Sequence, residues 1–150
     1  MFSEFVEEQT LLFVALAIII AMLVYSYLAD RLAGFKPVST DEATRLFNDG
    51  AFLLDVRASN EYKDGFIGDA KNIPVSDLKD RLNLLPKDKS KPIVVYCLSG
   101  IRSSKAASAL VKEGYTSVFN LSGGINAWKA AGLPVAKAKS KKAKKKASTK

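Results

Sequence analysis

The stretch 92-PIVVYCLSGIRSSKAASALVKEG-114 decides the fold of this 150-residue chain, because it predicts a strand, a short loop and a helix in succession. PIVVYC has the β-branched run of a buried strand, and SSKAASALVKEG has the apolar spacing of a helix that ends at Gly114. The lone cysteine of the chain, Cys97, ends the strand. Three residues are predicted to face inward from the helix: Ala106, Ala109 and Leu110.

Strands and helices alternate on both sides of this stretch. Ser39 and Glu42 have capping-box spacing before a helix with an apolar stripe, and AFLLDV forms a short apolar strand. Ser76 can cap a further helix, after which come a third strand, SVFNL, and a last short helix, GGINAWKAAG. This alternation predicts an α/β fold, an open parallel sheet covered by helices on both faces.

Residues 9–29 contain no charged side chain, and some 20 apolar residues are enough for a helix to span a bilayer. A cleaved signal peptide is the alternative, but it needs a basic segment before the apolar run. The short acidic N-terminus, residues 1–8, has Glu4, Glu7 and Glu8 instead. We therefore expect a retained transmembrane helix over residues 9–29, in contact with the lipid bilayer.

The charges that flank this helix predict its orientation. Arg31 and Lys36 follow it closely, in or near a linker over residues 30–37, and no Lys or Arg precedes it. By the positive-inside rule the C-terminal side is cytoplasmic. We expect a single-pass protein of the inner membrane, with its N-terminus outside and a domain over residues 38–135 in the cytoplasm.

The net charge of +8 belongs to the C-terminal tail, residues 136–150. Residues 137–150 hold eight lysines and no acidic residue, whereas the rest of the chain is neutral. Such a segment cannot bury apolar surface, so we expect disorder. We expect the lysines of this tail to contact anionic lipid headgroups. Binding to nucleic acid is a less favoured alternative, and the tail could also be a solvated segment with no partner.

One cysteine and no histidine limit the chemistry of this chain. A single cysteine forms no internal disulfide, so nothing demands an oxidising compartment. The absence of histidine excludes His-based metal sites, Cys–His pairs and Ser–His–Asp triads. We predict no metal site and no cofactor.

Cys97 is instead predicted to be an activated nucleophile. Sites in parallel sheets gather beyond the C-terminal ends of strands, and Cys97 lies at such an end, with a helix beginning near Ser103. Gly100 lets the loop curl, so that successive N–H groups converge on the sulfur. The helix N-terminus and Arg102 add positive charge, which favours thiolate. A buried, inert cysteine is the alternative.

Four segments show that residues 38–135 resemble a single-domain rhodanese of the membrane-anchored bacterial type, a sulfurtransferase. LLDVR (53–57) is similar to the family's strand that ends in Asp-x-Arg, and EYKDGFIGDAKNIP (61–74) resembles its E-Y-x-x-G-H-I-x-G-A-x-N-I-P stretch. VVYCLSGIRSSKAA (94–107) resembles the catalytic C-x-x-G-x-R loop, and NLSGGINAWKAAGLPV (120–135) resembles the closing segment. Phe66 replaces the family's usual histidine and is expected to repack that turn.

The resemblance implies that Cys97 takes sulfane sulfur from a donor such as thiosulfate or a persulfide and passes it to a thiol or protein acceptor. Arg102 would orient an anionic donor. Asp55 and Arg57 would flank the pocket, either touching substrate or forming a structural ion pair. Ser99 and Ser103 could donate to the bound anion, or Ser103 could simply cap its helix. The remaining residues of the implied persulfide loop are Leu98, Gly100 and Ile101.

Two other functions compete with sulfur transfer. Cys-dependent phosphatases and related arsenate reductases use Cys-x5-Arg, whereas only four residues separate Cys97 from Arg102 here. The smaller ring suits one sulfur atom better than a phosphate. The other alternative is a membrane-tethered interaction module in which catalysis is secondary.

Overall fold

A computed structural model describes residues 2–138 of the chain. The described residues divide into two units, residues 2–34 and residues 35–138. Residues 139–150, most of the predicted disordered tail, lie outside the described residues, so that prediction is not addressed by the structure.

The first unit is one long helix, α1, Phe2–Leu32. It extends beyond the predicted span at both ends and takes in the acidic N-terminal segment. Residues Gln9–Ala29 are long and apolar enough to cross a membrane, as a retained span or as a signal sequence. The side chains of residues 10–28 are all exposed within this unit.

The second unit is a five-stranded parallel sheet in the order β1-β5-β4-β2-β3. The strands are β1 Lys36–Val38, β2 Phe52–Asp55, β3 Lys71–Asn72, β4 Ile93–Tyr96 and β5 Val118–Leu121. The helices are α2 Thr40–Asn48, α3 Ser59–Asp64, α4 Ile101–Lys112 and α5 Gly124–Ala130, together with a 3₁₀ helix, Val75–Leu84. The predicted α/β class is therefore confirmed.

Alternating side chains of the strands separate the core into two layers, one on each face of the sheet. Leu54 and Val95 pack on the face covered by α4, with the buried Leu110. Leu53 and Val94 point to the opposite face, where the buried Trp128 of α5 packs. Successive side chains of a strand point to opposite faces of the sheet, and here both faces are covered by helices. Runs such as IVVY are therefore apolar throughout.

The structure corrects several local expectations. The edge strands β1 and β3 and the helix α3 were not predicted from the sequence, and β1 occupies residues 36–37 of the expected linker. The segment after Pro74 is a 3₁₀ helix, and Ser76 donates to Asp77 instead of capping it. The capping box of Ser39 and Glu42 is present as predicted.

Candidate active site

Cys97 lies directly after β4, the central strand, and α4 begins only four residues later at Ile101. Gly100 makes this tight connection possible, because its φ of 107° lies in a region that other residues rarely adopt. Its backbone N–H points back to the cysteine, with nitrogen and Sγ 3.0 Å apart. The predicted curl of the loop toward its own thiol is therefore present.

Several donors surround the buried sulfur of Cys97. Burial by itself raises the pKa of this thiol, but hydrogen bonds from the Ser103 hydroxyl and from the backbone N–H groups of Ser103, Gly100 and Ser99 outweigh that effect. The net result is a Cys97 pKa below its ordinary value. Hydrogen bonds lower the Cys97 pKa, and the charge of Arg102 is not among the causes. The predicted contribution of Arg102 to this pKa is therefore wrong.

Ser103 lies inside the first turn of α4, whose N-cap is Gly100, so the capping role considered for Ser103 is wrong. Its buried hydroxyl is 3.4 Å from Cys97 Sγ and 2.6 Å from Oδ1 of Asn120 on β5. The amide nitrogen of Asn120 donates to Ser104 Oγ and to the carbonyl of Gly100. Asn120 thus ties the loop to the neighbouring strand, a role that sequence reasoning missed.

The N-terminus of α5 fixes the other side of the loop. The backbone N–H of Ile125 donates to the carbonyl of Cys97 at 2.9 Å, and that of Asn126 donates to the carbonyl of Leu98 at 3.2 Å. A Cβ on Gly124 would lie only 2.4 Å from the Cys97 carbonyl oxygen, so this approach requires glycine. With its carbonyls held by α5, the loop can turn its N–H groups toward the sulfur. The pair Gly123 and Gly124 at the start of α5 was the available sequence signal.

Arg102 is engaged by Glu61 of α3, which sequence analysis did not single out. Nη2 of Arg102 lies 3.1 Å from Oε2 of Glu61, and both Nη atoms lie 3.4 Å from Oε1. The two side chains are 40% and 34% exposed, so solvent screens the pair only partly. An anionic donor that binds Arg102 would therefore meet the Glu61 carboxylate as well.

Asp55 and Arg57 form a buried ion pair at the end of β2. Nη2 of Arg57 is 2.7 Å from Oδ2 of Asp55 and also donates to the carbonyl of Gly65 at 2.6 Å. Burial lowers the pKa of Arg57, but its hydrogen bond to Asp55 and the charge of that carboxylate together raise it. This geometry favours structural support of the loops over direct contact with a donor.

The other predicted loop side chains point outward. Leu98 and Ile101 are 41% and 71% exposed, and Ser99 is exposed as well. Phe66 stacks on Tyr62 with ring centroids 4.3 Å apart, and its backbone pairs with that of Ala136. Within residues 2–138, no three side chains of the His, Cys, Asp and Glu types cluster as a metal site would require.

A parallel sheet with a cysteine cradled by N–H groups at the end of its central strand defines a rhodanese-like domain, and comparisons with known proteins agree. The sequence model of the Rhodanese-like domain matches residues 39–131. The chain is 42% identical over 83 residues to a protein of Allochromatium vinosum named Sulfurtransferase, covering 55% of this chain and 76% of that one. It therefore belongs to the rhodanese-like family.

Two further proteins extend the comparison. Uncharacterized protein YibN of Escherichia coli K12 is 32% identical over 139 residues, which cover 91% of this chain and 96% of YibN. The crystal structure of a rhodanese-related protein from Thermoplasma volcanium superposes with a TM-score of 0.62 at 29% identity. That match covers 68% of this chain and 98% of the other.

Proposed function

We propose that this protein is a sulfurtransferase that carries sulfane sulfur as a persulfide on Cys97. The observation that carries the proposal is the ring of hydrogen-bond donors around the Cys97 sulfur, which lowers its pKa. A thiolate is the nucleophilic form of cysteine, and the same N–H groups suit a negatively charged persulfide. The sulfurtransferase name of the Allochromatium relative supports this assignment.

The reaction has two balanced steps. The Cys97 thiolate attacks the outer sulfur of the donor, and the donor's S–S bond breaks. The remainder leaves with the electron pair, as sulfite from thiosulfate or as a thiolate from a persulfide. An acceptor thiolate, or cyanide in the assay, then attacks the outer sulfur of the persulfide and restores Cys97. No external oxidant or reductant is needed.

The residues in and around the Cys97 loop have different roles in this mechanism. The backbone of Ser99, Gly100 and Ser103 holds negative charge on sulfur, and the hydroxyl of Ser103 assists. Arg102, partly exposed, orients the anionic donor, while Asp55 and Arg57 hold the neighbouring loops in place. The four-residue spacing between Cys97 and Arg102 supports a sulfur cradle over the larger phosphate cradle of a phosphatase.

A thiosulfate–cyanide assay on the full chain in detergent tests this function, with Cys97→Ser as the control. We expect thiocyanate formation that the control lacks, and a mass gain of one sulfur atom on Cys97 after incubation with donor. If neither thiosulfate nor an alkyl persulfide gives a Cys97-dependent mass gain, the enzyme proposal is wrong. The membrane-tethered interaction module would then be the better description.

We further propose that residues 9–29 anchor the protein in the inner membrane with the rhodanese domain in the cytoplasm. The exposed apolar side chains of residues 10–28 support an anchor, because such a surface is stable in lipid. The match to YibN covers 91% of this chain, so it must include at least part of this segment.

Protease digestion of sealed inverted vesicles tests both parts. We expect the full-length protein to resist carbonate extraction and the domain to be digested from the cytoplasmic face. Release of a shortened soluble protein would instead identify a signal sequence, and protection of the domain would reverse the orientation.

A further inference from the structure

The charged groups around the Cys97 loop form two ion pairs, and the pairs differ in exposure. Asp55 and Arg57 are buried against each other, whereas Glu61 and Arg102 are both about one-third or more exposed. The outer pair is the one that an approaching donor meets. Arg102 reaches this position from α4 and Glu61 from α3, 41 residues apart in sequence.

The four charges cancel, and this affects which donors the site accepts. Two arginines and two carboxylates leave no net charge, so ionisation of Cys97 makes the site negative. Glu61 acts on more than its own partner, since its charge also raises the pKa of Arg57. Glu61 lies beside Arg102 and is only partly screened by solvent, so its unit charge disfavours a further negative charge on a donor at Arg102 by about tenfold or more. A donor with two negative charges should therefore bind less favourably at this site than a donor with one.

We infer that Glu61 sets the charge class of the sulfur donor, favouring donors with a single negative charge, such as alkyl persulfides and thiosulfonates, over the thiosulfate dianion. This inference rests on the proposed sulfur-transfer function and refines it. Glu61 is a positioning residue in this scheme. It holds Arg102 and offsets its charge, so that a donor with two negative charges is disfavoured more strongly than a donor with one.

The chemistry of the favoured donors is the same as that of thiosulfate. The Cys97 thiolate attacks the outer sulfur, the S–S bond breaks, and a thiolate or a sulfinate leaves with the electron pair. The leaving groups differ in charge and also in basicity, so the informative quantity is the change in the ratio of rates between variants, in which the intrinsic reactivity of each donor cancels. Methanethiosulfonate and thiosulfate are therefore suitable probes, because they have similar size and the same sulfane sulfur but differ by one negative charge.

The test compares Glu61→Gln with the unmodified full chain in detergent. Glutamine has nearly the same shape and preserves one oxygen that can accept a hydrogen bond from Arg102, but it has no charge. Asp64→Asn is the matched control, because Asp64 belongs to the same helix, is exposed and has no ion pair in the described part of the chain. The rate of sulfur addition to Cys97, followed by intact mass, is measured with each donor at low ionic strength.

We expect Glu61→Gln to raise the thiosulfate rate relative to the methanethiosulfonate rate about tenfold or more. Added salt should shrink that gain, and Asp64→Asn should leave the ratio unchanged. An unchanged ratio in Glu61→Gln overturns the inference while the proposed function stands. Absence of Cys97 persulfide with both donors in every variant overturns the proposed function too.

Discussion

Ser103 Oγ lies 2.6 Å from Oδ1 of Asn120 and 3.4 Å from Cys97 Sγ, so one buried hydroxyl is within hydrogen-bond distance of both the nucleophilic sulfur and an amide oxygen. A hydroxyl has one proton and cannot donate to both neighbours at once. With a protonated thiol, Ser103 can accept from sulfur and donate to Asn120. With a thiolate, the proton of Ser103 turns toward sulfur. The protonation state of Cys97 is thus coupled to the hydrogen bond between Ser103 and Asn120 on β5.

Replacement of this hydroxyl should make Cys97 a weaker acid. Ser103→Ala removes one donor to the thiolate, and hydrogen bonds to charged groups contribute about 1.5–3 kcal/mol, so the Cys97 pKa should rise by about one unit or more. The pH dependence of alkylation by iodoacetamide measures this. Ser104→Ala is the matched control, since Ser104 contacts Asn120 but not sulfur. Equal profiles for both variants would contradict the role given to Ser103.

The folded protein itself should react at lower pH than an ordinary cysteine does. The net effect of the loop is a lowered Cys97 pKa, so thiolate persists as the pH falls below the ordinary value of about 8.5. The alkylation midpoint of the folded chain should therefore lie below that of the same chain unfolded in urea. A midpoint at or above the unfolded one would show that burial outweighs the donors.

Gly124→Ala should displace the Cys97 loop, because the new methyl group would meet the Cys97 and Leu98 carbonyls at less than 3 Å. We expect a loss of about 1–3 kcal/mol in the free energy of unfolding and slower persulfide formation. Gly132→Ala is the control, since Gly132 also has positive φ but faces open space. If both variants lose equal stability and keep activity, backbone strain alone explains the effect.

Breaking the buried ion pair should lower the free energy of unfolding more than it lowers the rate of sulfur transfer. Arg57→Met leaves the Asp55 carboxylate buried without its partner, and such losses are typically 3–5 kcal/mol. The double variant Asp55→Asn with Arg57→Met should regain part of that free energy, as measured by urea unfolding. A fully stable Arg57→Met protein that has lost sulfur transfer would instead support direct contact between Arg57 and the donor.

Local sequence patterns were enough to predict the features of this protein that depend on neighbours along the chain. The apolar run of residues 9–29, the buried strand before Cys97, the spacing to Arg102 and the capping box of Ser39 are all local patterns. They were predictable because hydrophobic periodicity, turn residues and loop length act over a few residues. The family resemblance of the domain rested on the same local stretches.

The groups that surround the Cys97 sulfur follow from the strand order of the sheet and could not be predicted from local patterns. The strand order places β4 between β2 and β5, which brings Asn120 and the N-terminus of α5 to Cys97, while α3 brings Glu61 to Arg102. These partners lie far apart in sequence, and no local pattern specifies which side chains parallel pairing will bring together. The edge strands β1 and β3, three and two residues long, are also too short to show a period of their own.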